Sequence, residues 1–97
     1  MNFEWDEAKN RTNMCKHGFD FADAEEMFRD FLIVEADTRE DYGEVRWRGI
    51  GKIRERTTAV IFTEPAPETI RIISLRRAHY EEREEYEKAF KDGLETH

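Results

Sequence analysis

The sequence is poor in the residues that build disulfide scaffolds, metal cages and membrane spans. Its one cysteine, Cys15, cannot close an intramolecular bridge, which excludes a secreted domain stapled by disulfides. His17, His79 and His97 lack the pairwise spacings of a zinc site, so no metal or other cofactor is expected. Cys15 and His17, two residues apart, would point to different sides of a helix, which excludes a Cys–His nucleophile pair. The Gly49-Ile50-Gly51 fragment lacks the third glycine and the following helix of a phosphate-cradling loop. No stretch approaches the roughly 18 apolar residues of a membrane span. The start MNFEWDEAKN is acidic and carries no apolar run, so it does not read as a signal peptide. These absences predict a soluble, cytoplasmic chain.

What is present is one small domain's worth of sequence. Ninety-seven residues leave no room for a cofactor module beside a substrate module, so a single domain over 1–97 is expected. Charged residues make up 40% and hydrophobic ones 38%, yet seven Phe supply enough burial for a real core. The formal charge of −7 argues at first against nucleic acid. That total is an average over unlike parts. Residues 46–77 hold eight basic side chains against three acidic ones, a local excess of five positive charges, and the flanks hold the remaining −12. Seven of the eight cations are Arg, whose planar fork matches phosphate geometry. The plain alternative is a solvated strand face whose arginines pair with acidic neighbours.

Periodicity predicts the element order ααββββα. Asp6 is suited to cap a helix that ends at Gly18, with only Ala8 and Cys15 as an apolar stripe. Asp20 caps a second helix over 21–29, with Phe21, Ala24 and Phe28 on one side. FLIV (31–34) reads as a strand, and so do 44–52, 57–62 and 69–75, with EPAPE (64–68) as a two-proline turn. In the second of these, Val45, Trp47, Gly49 and Gly51 alternate with Arg46, Arg48, Ile50 and Lys52. A C-terminal helix runs from about Tyr80 to Asp92, with Gly93 as its stop. The fold class is α+β: two N-terminal helices, a four-stranded mainly antiparallel sheet and a C-terminal helix.

In such a sheet Arg46, Arg48 and Arg76 are expected to converge with Arg77 near one concave face. A cluster of this kind holds a phosphodiester and stabilises the extra charge of its transition state. RNA brings its own nucleophile, the 2′-hydroxyl, so a small protein need only align, neutralise and move protons. Lys16, His17, Glu44, His79 and Tyr80 are candidate proton carriers. Each has a duller reading: Trp47 as core rather than base-stacking platform, His17 as a helix C-terminal group, and Tyr80 with Tyr86 as packing.

The motifs FEWDEAK, KHGFDF (16–21), RWRGIG (46–51) and RIISLRRA (71–78), followed by Glu82-Arg83 and Tyr86, occur in this order. Together they resemble the BrnT toxin family over about residues 3–87. The resemblance implies a compact RelE-like fold and a ribonuclease toxin of a type II toxin–antitoxin pair. It implies metal-independent cleavage of RNA by 2′-hydroxyl transesterification and neutralisation by a BrnA-like antitoxin in a hetero-oligomer, with DNA met only through the antitoxin. Carried over by motif, Arg46, Arg76, Arg77 and Lys16 take catalytic roles, with Arg48, Lys52 and Trp47 as further RNA-binding residues. The competing expectation is a non-catalytic, toxin-like module that complexes an antitoxin and tunes operon repression.

Overall fold

Asp6 starts the first helix because its carboxylate accepts hydrogen bonds from the otherwise unpaired Ala8 N–H at 2.8 Å and Lys9 N–H at 3.1 Å. In the computed structural model, which describes residues 1–95, this helix is α1, Glu7–His17. Gly18 ends it at φ +78°, donating to Met14 O at 2.9 Å. The expected apolar stripe is not what docks α1. Ala8 and Cys15 are exposed, and the buried residues are Asn10 and Asn13. Asn10 accepts from Phe21 N–H at 2.9 Å and donates to Asp20 at 3.0 Å. Asn13 donates to Leu75 O at 2.8 Å and to Phe19 O at 3.3 Å, and accepts from Leu75 N–H at 3.2 Å. Two side-chain amides replace an apolar face.

Asp20 caps as expected, accepting from Ala22 N–H at 3.0 Å, but it opens a 3-10 turn (Phe21–Asp23) before a short α2, Ala24–Phe28. The sheet then has five strands rather than four, in the order β1-β5-β4-β3-β2. They are β1 (Asn2–Glu4), β2 (Ile33–Ala36), β3 (Trp47–Ile53), β4 (Arg56–Ala66) and β5 (Thr69–Arg77). The extra strand is β1, parallel to β5 through Phe3↔Ile70, while every other pair is antiparallel. Three residues are too few to show an alternation, so only pairing with β5 defines it.

The turns also differ from expectation. EPAPE is not all turn: β4 continues through Pro65 to Ala66, and only Pro67-Glu68 turns, with Glu68 at φ +56°. Pro65 is tolerated because β3 has already stopped pairing at Phe62. The charged β3–β4 turn places Arg54 and Glu55 at φ +46° and +71°. Arg54 is held there by its N–H on Glu26 at 2.8 Å and by an ion pair with Asp23 at 3.4 Å.

The sheet carries a cluster on each side. Phe19, Phe21, Ala24 and Met27 pack with Val60, Phe62, Ile72 and Leu75 against the side bearing α2. Gly49 and Gly51 serve this packing: a Cβ on either would lie 3.1 or 3.0 Å from Leu32 Cδ1. On the opposite side Ile50, Ala59, Ala78 and Tyr86 form a smaller cluster with Phe31 and Ile33 beneath α3, Tyr80–Glu95, which runs past Gly93 instead of stopping there. No described helix is long and apolar enough to cross a membrane.

Candidate functional site

The path of β5 decides where its two arginines point. Ile61 pairs with Ser74 but Phe62 pairs with Ile72, so Ile73 is left as a bulge. One extra residue inverts the alternation beyond it. Leu75 therefore joins Ile70 and Ile72 on the α2 side, and Arg76 turns to the α3 side. Arg77 follows Leu75, so the adjacent arginines do not share a face, which corrects the expected convergence. Across the α3 side, register aligns Ile33, Ile50, Ala59 and Arg76 in one row and Glu35, Arg48, Ile61 and Ser74 in the next.

Arg48 and Arg76 meet at Glu82, in the first turn of α3. Its side chain is 6% exposed. Arg76 donates from both terminal nitrogens, at 2.8 Å to Oε1 and 3.1 Å to Oε2. Arg48 donates to Oε2 at 3.0 Å, and the His79 backbone N–H donates to Oε1 at 2.7 Å. The last contact is half of a capping box, with Glu82 reaching back to the residue before the first turn. Burial alone would raise this carboxyl, but the bonds from Arg76 and the His79 N–H, with the charges of Arg76 and Arg48, hold it at about 2. Arg48 also pairs with exposed Glu35, and its buried Nε has no partner. A hollow of about 200 Å³ opens beside the two arginines, lined also by Thr38, Arg39 and Asp37.

The remaining expected site residues are dispersed. Arg46 lies 4.0 Å over the Tyr42 ring and 3.3 Å from Glu44, in a separate hollow beside Asp37 and Asp41. Lys52 faces Glu87 at 3.8 Å. Trp47 is half-buried against the larger core cluster, opposite Phe62. Lys16 and His17 end α1 and line an open groove of about 410 Å³ with Thr12, Asn13, Ile73 and Ser74. Partial burial lowers the His17 pKa first, and the charges of Lys16 and Arg76 lower it further, so the imidazole stands within electrostatic reach of Arg76. Its side chain makes no hydrogen bond to the carbonyls ending α1. Arg77 is exposed and, among the described residues, makes no ion pair. Glu44 is taken up by Arg46, and Tyr80 is exposed beside Arg83.

The charge excess of 46–77 is largely neutralised in space. Among the described residues Arg46, Arg48, Lys52, Arg54, Arg71 and Arg76 each pair with a carboxylate, leaving Arg56 and Arg77. Glu82 figured in the sequence only as part of the motif that follows RIISLRRA, and no role at the site was assigned to it. Its signal was the position three residues after His79, where a capping box places Glu. Among the described residues no group of three or more His, Cys, Asp or Glu could hold a metal ion, and His97 lies outside them.

The chain is thus a small α+β domain whose bulged, mostly antiparallel sheet carries a carboxylate-tied arginine pair beside α3 and an amide-clipped helix along its edge. It belongs to the family described as ribonuclease toxin, BrnT, of type II toxin–antitoxin systems, which matches residues 5–82. Its structure is similar to that of the Brucella abortus ribonuclease toxin BrnT, at a TM-score of 0.63 and 34% sequence identity. That similarity covers 81% of this chain and 97% of the Brucella chain. No curated protein matches the chain.

Proposed function

We propose that this chain cleaves RNA in the cytoplasm without a metal ion, and that Arg76 and Arg48 bind the scissile phosphate. The observation carrying this reading is their juxtaposition on one side of the sheet, both hydrogen-bonded to Glu82. Two guanidinium groups so placed stabilise the second negative charge that the phosphorane gains. The 2′-oxygen attacks phosphorus, the bond from phosphorus to the 5′-oxygen breaks, and the products carry a 2′,3′-cyclic phosphate and a 5′-hydroxyl. His17, its pKa lowered so that it is neutral at pH 7, takes the 2′-hydroxyl proton. Lys16 beside it gives a proton to the departing oxygen or holds a neighbouring phosphate. Exposed Arg77 adds a contact to the strand. Arg46, Lys52 and Trp47 stand outside this centre and contact more distant nucleotides.

The partner in this reading is a BrnA-like antitoxin, drawn by the −12 of formal charge on the flanks. Expression of the chain alone arrests growth and degrades RNA, and co-expression of the antitoxin restores both. The purified protein cuts RNA in EDTA and leaves cyclic phosphate ends. One observation favours the non-catalytic module: six of eight central cations already have carboxylate partners. Intact RNA after incubation with folded protein that still binds its antitoxin would establish that second reading.

A further inference from the structure

We infer that Glu82 is a positioning residue of the RNA-cleaving centre: without touching RNA, it sets the spacing and orientation of Arg48 and Arg76 against the start of α3. The inference rests on the proposed reading that these two arginines hold the phosphate.

A carboxylate has about four acceptor positions on its two oxygens. In Glu82 each oxygen accepts two bonds: Oε1 from Arg76 and the His79 N–H, Oε2 from Arg76 and Arg48. Nothing remains to accept a substrate proton, so Glu82 is no general base. With 6% of its side chain exposed it is also out of reach of a nucleic acid. What it does hold is geometry. Arginine side chains lose much rotamer freedom when ordered, and two guanidinium groups repel at this range. Glu82 overcomes both by tying each to one buried anion. The backbone bond to His79 N–H then anchors that anion to the fold, three residues from Arg76. Both terminal nitrogens of Arg76 engage the carboxylate end-on, which fixes the guanidinium plane and leaves its Nε–H uncommitted.

Neutralising Glu82 therefore has opposite effects on binding and on chemistry. The centre gains one net positive charge, so RNA binds as tightly or more tightly. The arginines lose their alignment, and misplacement of charge-stabilising groups by about 1 Å costs on the order of 100-fold in rate. A merely structural role behaves differently, lowering the folded fraction while leaving KM, and kcat per folded molecule, unchanged.

The test is steady-state cleavage of a single-stranded RNA oligonucleotide by the purified full chain, with the folded fraction measured by circular dichroism. For Glu82→Gln, which keeps size and the capping acceptor, we expect kcat per folded molecule to fall at least about 30-fold, on the scale of such misplacements, while KM stays level or falls. Wild-type kcat in a folded Glu82→Gln protein, with Arg76→Ala inactive, overturns the inference and leaves the phosphate-binding reading standing. Wild-type kcat in both Arg48→Ala and Arg76→Ala overturns the reading and the inference with it. Where Glu82→Gln does not fold, Glu82→Asp decides, since it keeps the charge but shortens the reach: lowered kcat at unchanged KM supports positioning, and wild-type kcat overturns it.

Discussion

Asn13 pairs with Leu75 as one strand pairs with another, donating to its carbonyl at 2.8 Å and accepting from its N–H at 3.2 Å. β1 covers the edge of β5 only as far as Arg71. Beyond that point the side-chain amide supplies the donor and acceptor that a strand would have supplied. The edge is thereby closed to further strand pairing.

Asn13→Ala should therefore destabilise far more than a helix-surface change. It leaves a buried N–H and carbonyl of Leu75, and the Phe19 carbonyl, without their partner, at about 2–4 kcal/mol in total. Urea denaturation measures this directly, and a loss below about 0.5 kcal/mol, the range of an ordinary surface substitution, would show that the pairing contributes little.

The Glu82 carboxyl gives acid unfolding a defined source. Its folded pKa of about 2 lies below the 4.5 of an ordinary glutamate. A depressed carboxyl contributes stability that is fully present above the unfolded value and is lost as pH falls through 4.5 towards 2. Between about pH 5 and pH 2 the wild type should lose on the order of 3 kcal/mol that Glu82→Gln does not lose. Parallel stability curves for the two proteins across that window would contradict the assignment.

His17 sets the acid limb of the expected cleavage profile. Burial and the nearby Lys16 and Arg76 charges place its pKa below 6.5, so activity holds at neutral pH and falls as the imidazole gains a proton at lower pH. His17→Asn should remove that limb along with most of the rate. Arg76→Ala, which takes away one repelling charge, should raise the His17 pKa as followed by NMR titration. An unmoved resonance would mean that the two groups are not electrostatically linked.

Glu35 is the replaceable anion of the site. It pairs with Arg48 from the edge strand while 55% of its side chain remains exposed, so the pair is worth about 0–1 kcal/mol to the fold. On the proposed reading, a phosphate arriving at Arg48 competes with it. Glu35→Gln should leave the melting temperature nearly unchanged, tighten RNA binding several-fold and steepen its salt dependence. Fluorescence anisotropy at two salt concentrations reads both effects, and unchanged affinity would place the phosphate elsewhere.

Much of this molecule is written in local pattern. The caps at Asp6 and Asp20, the left-handed Gly18, the alternation of Trp47, Gly49 and Gly51 with Arg48, Ile50 and Lys52, and the packing of Tyr86 all follow from residue type and spacing. These features are legible because each depends on neighbours within a few positions. β1 was not, since a three-residue edge strand exists only through its partner. Nor was the docking of α1, because Asn10 and Asn13 look like surface residues until Phe21 and Leu75 arrive from 11 and 62 positions away.

The shortages of the sequence and its ordered motifs determined the class of protein: a chain with one cysteine and no metal-ligand spacing, and with arginines gathered between acidic flanks. Only the tertiary structure decided which arginines lie together. The Ile73 bulge inverts the alternation that sequence alone would assign, so that Arg76 and not Arg77 faces Arg48 across β4. Glu82 then joins them from α3. Alternation is a local rule, whereas a bulge arises from a neighbouring strand and an ion triad from three separate elements, so neither can be read from any one of them.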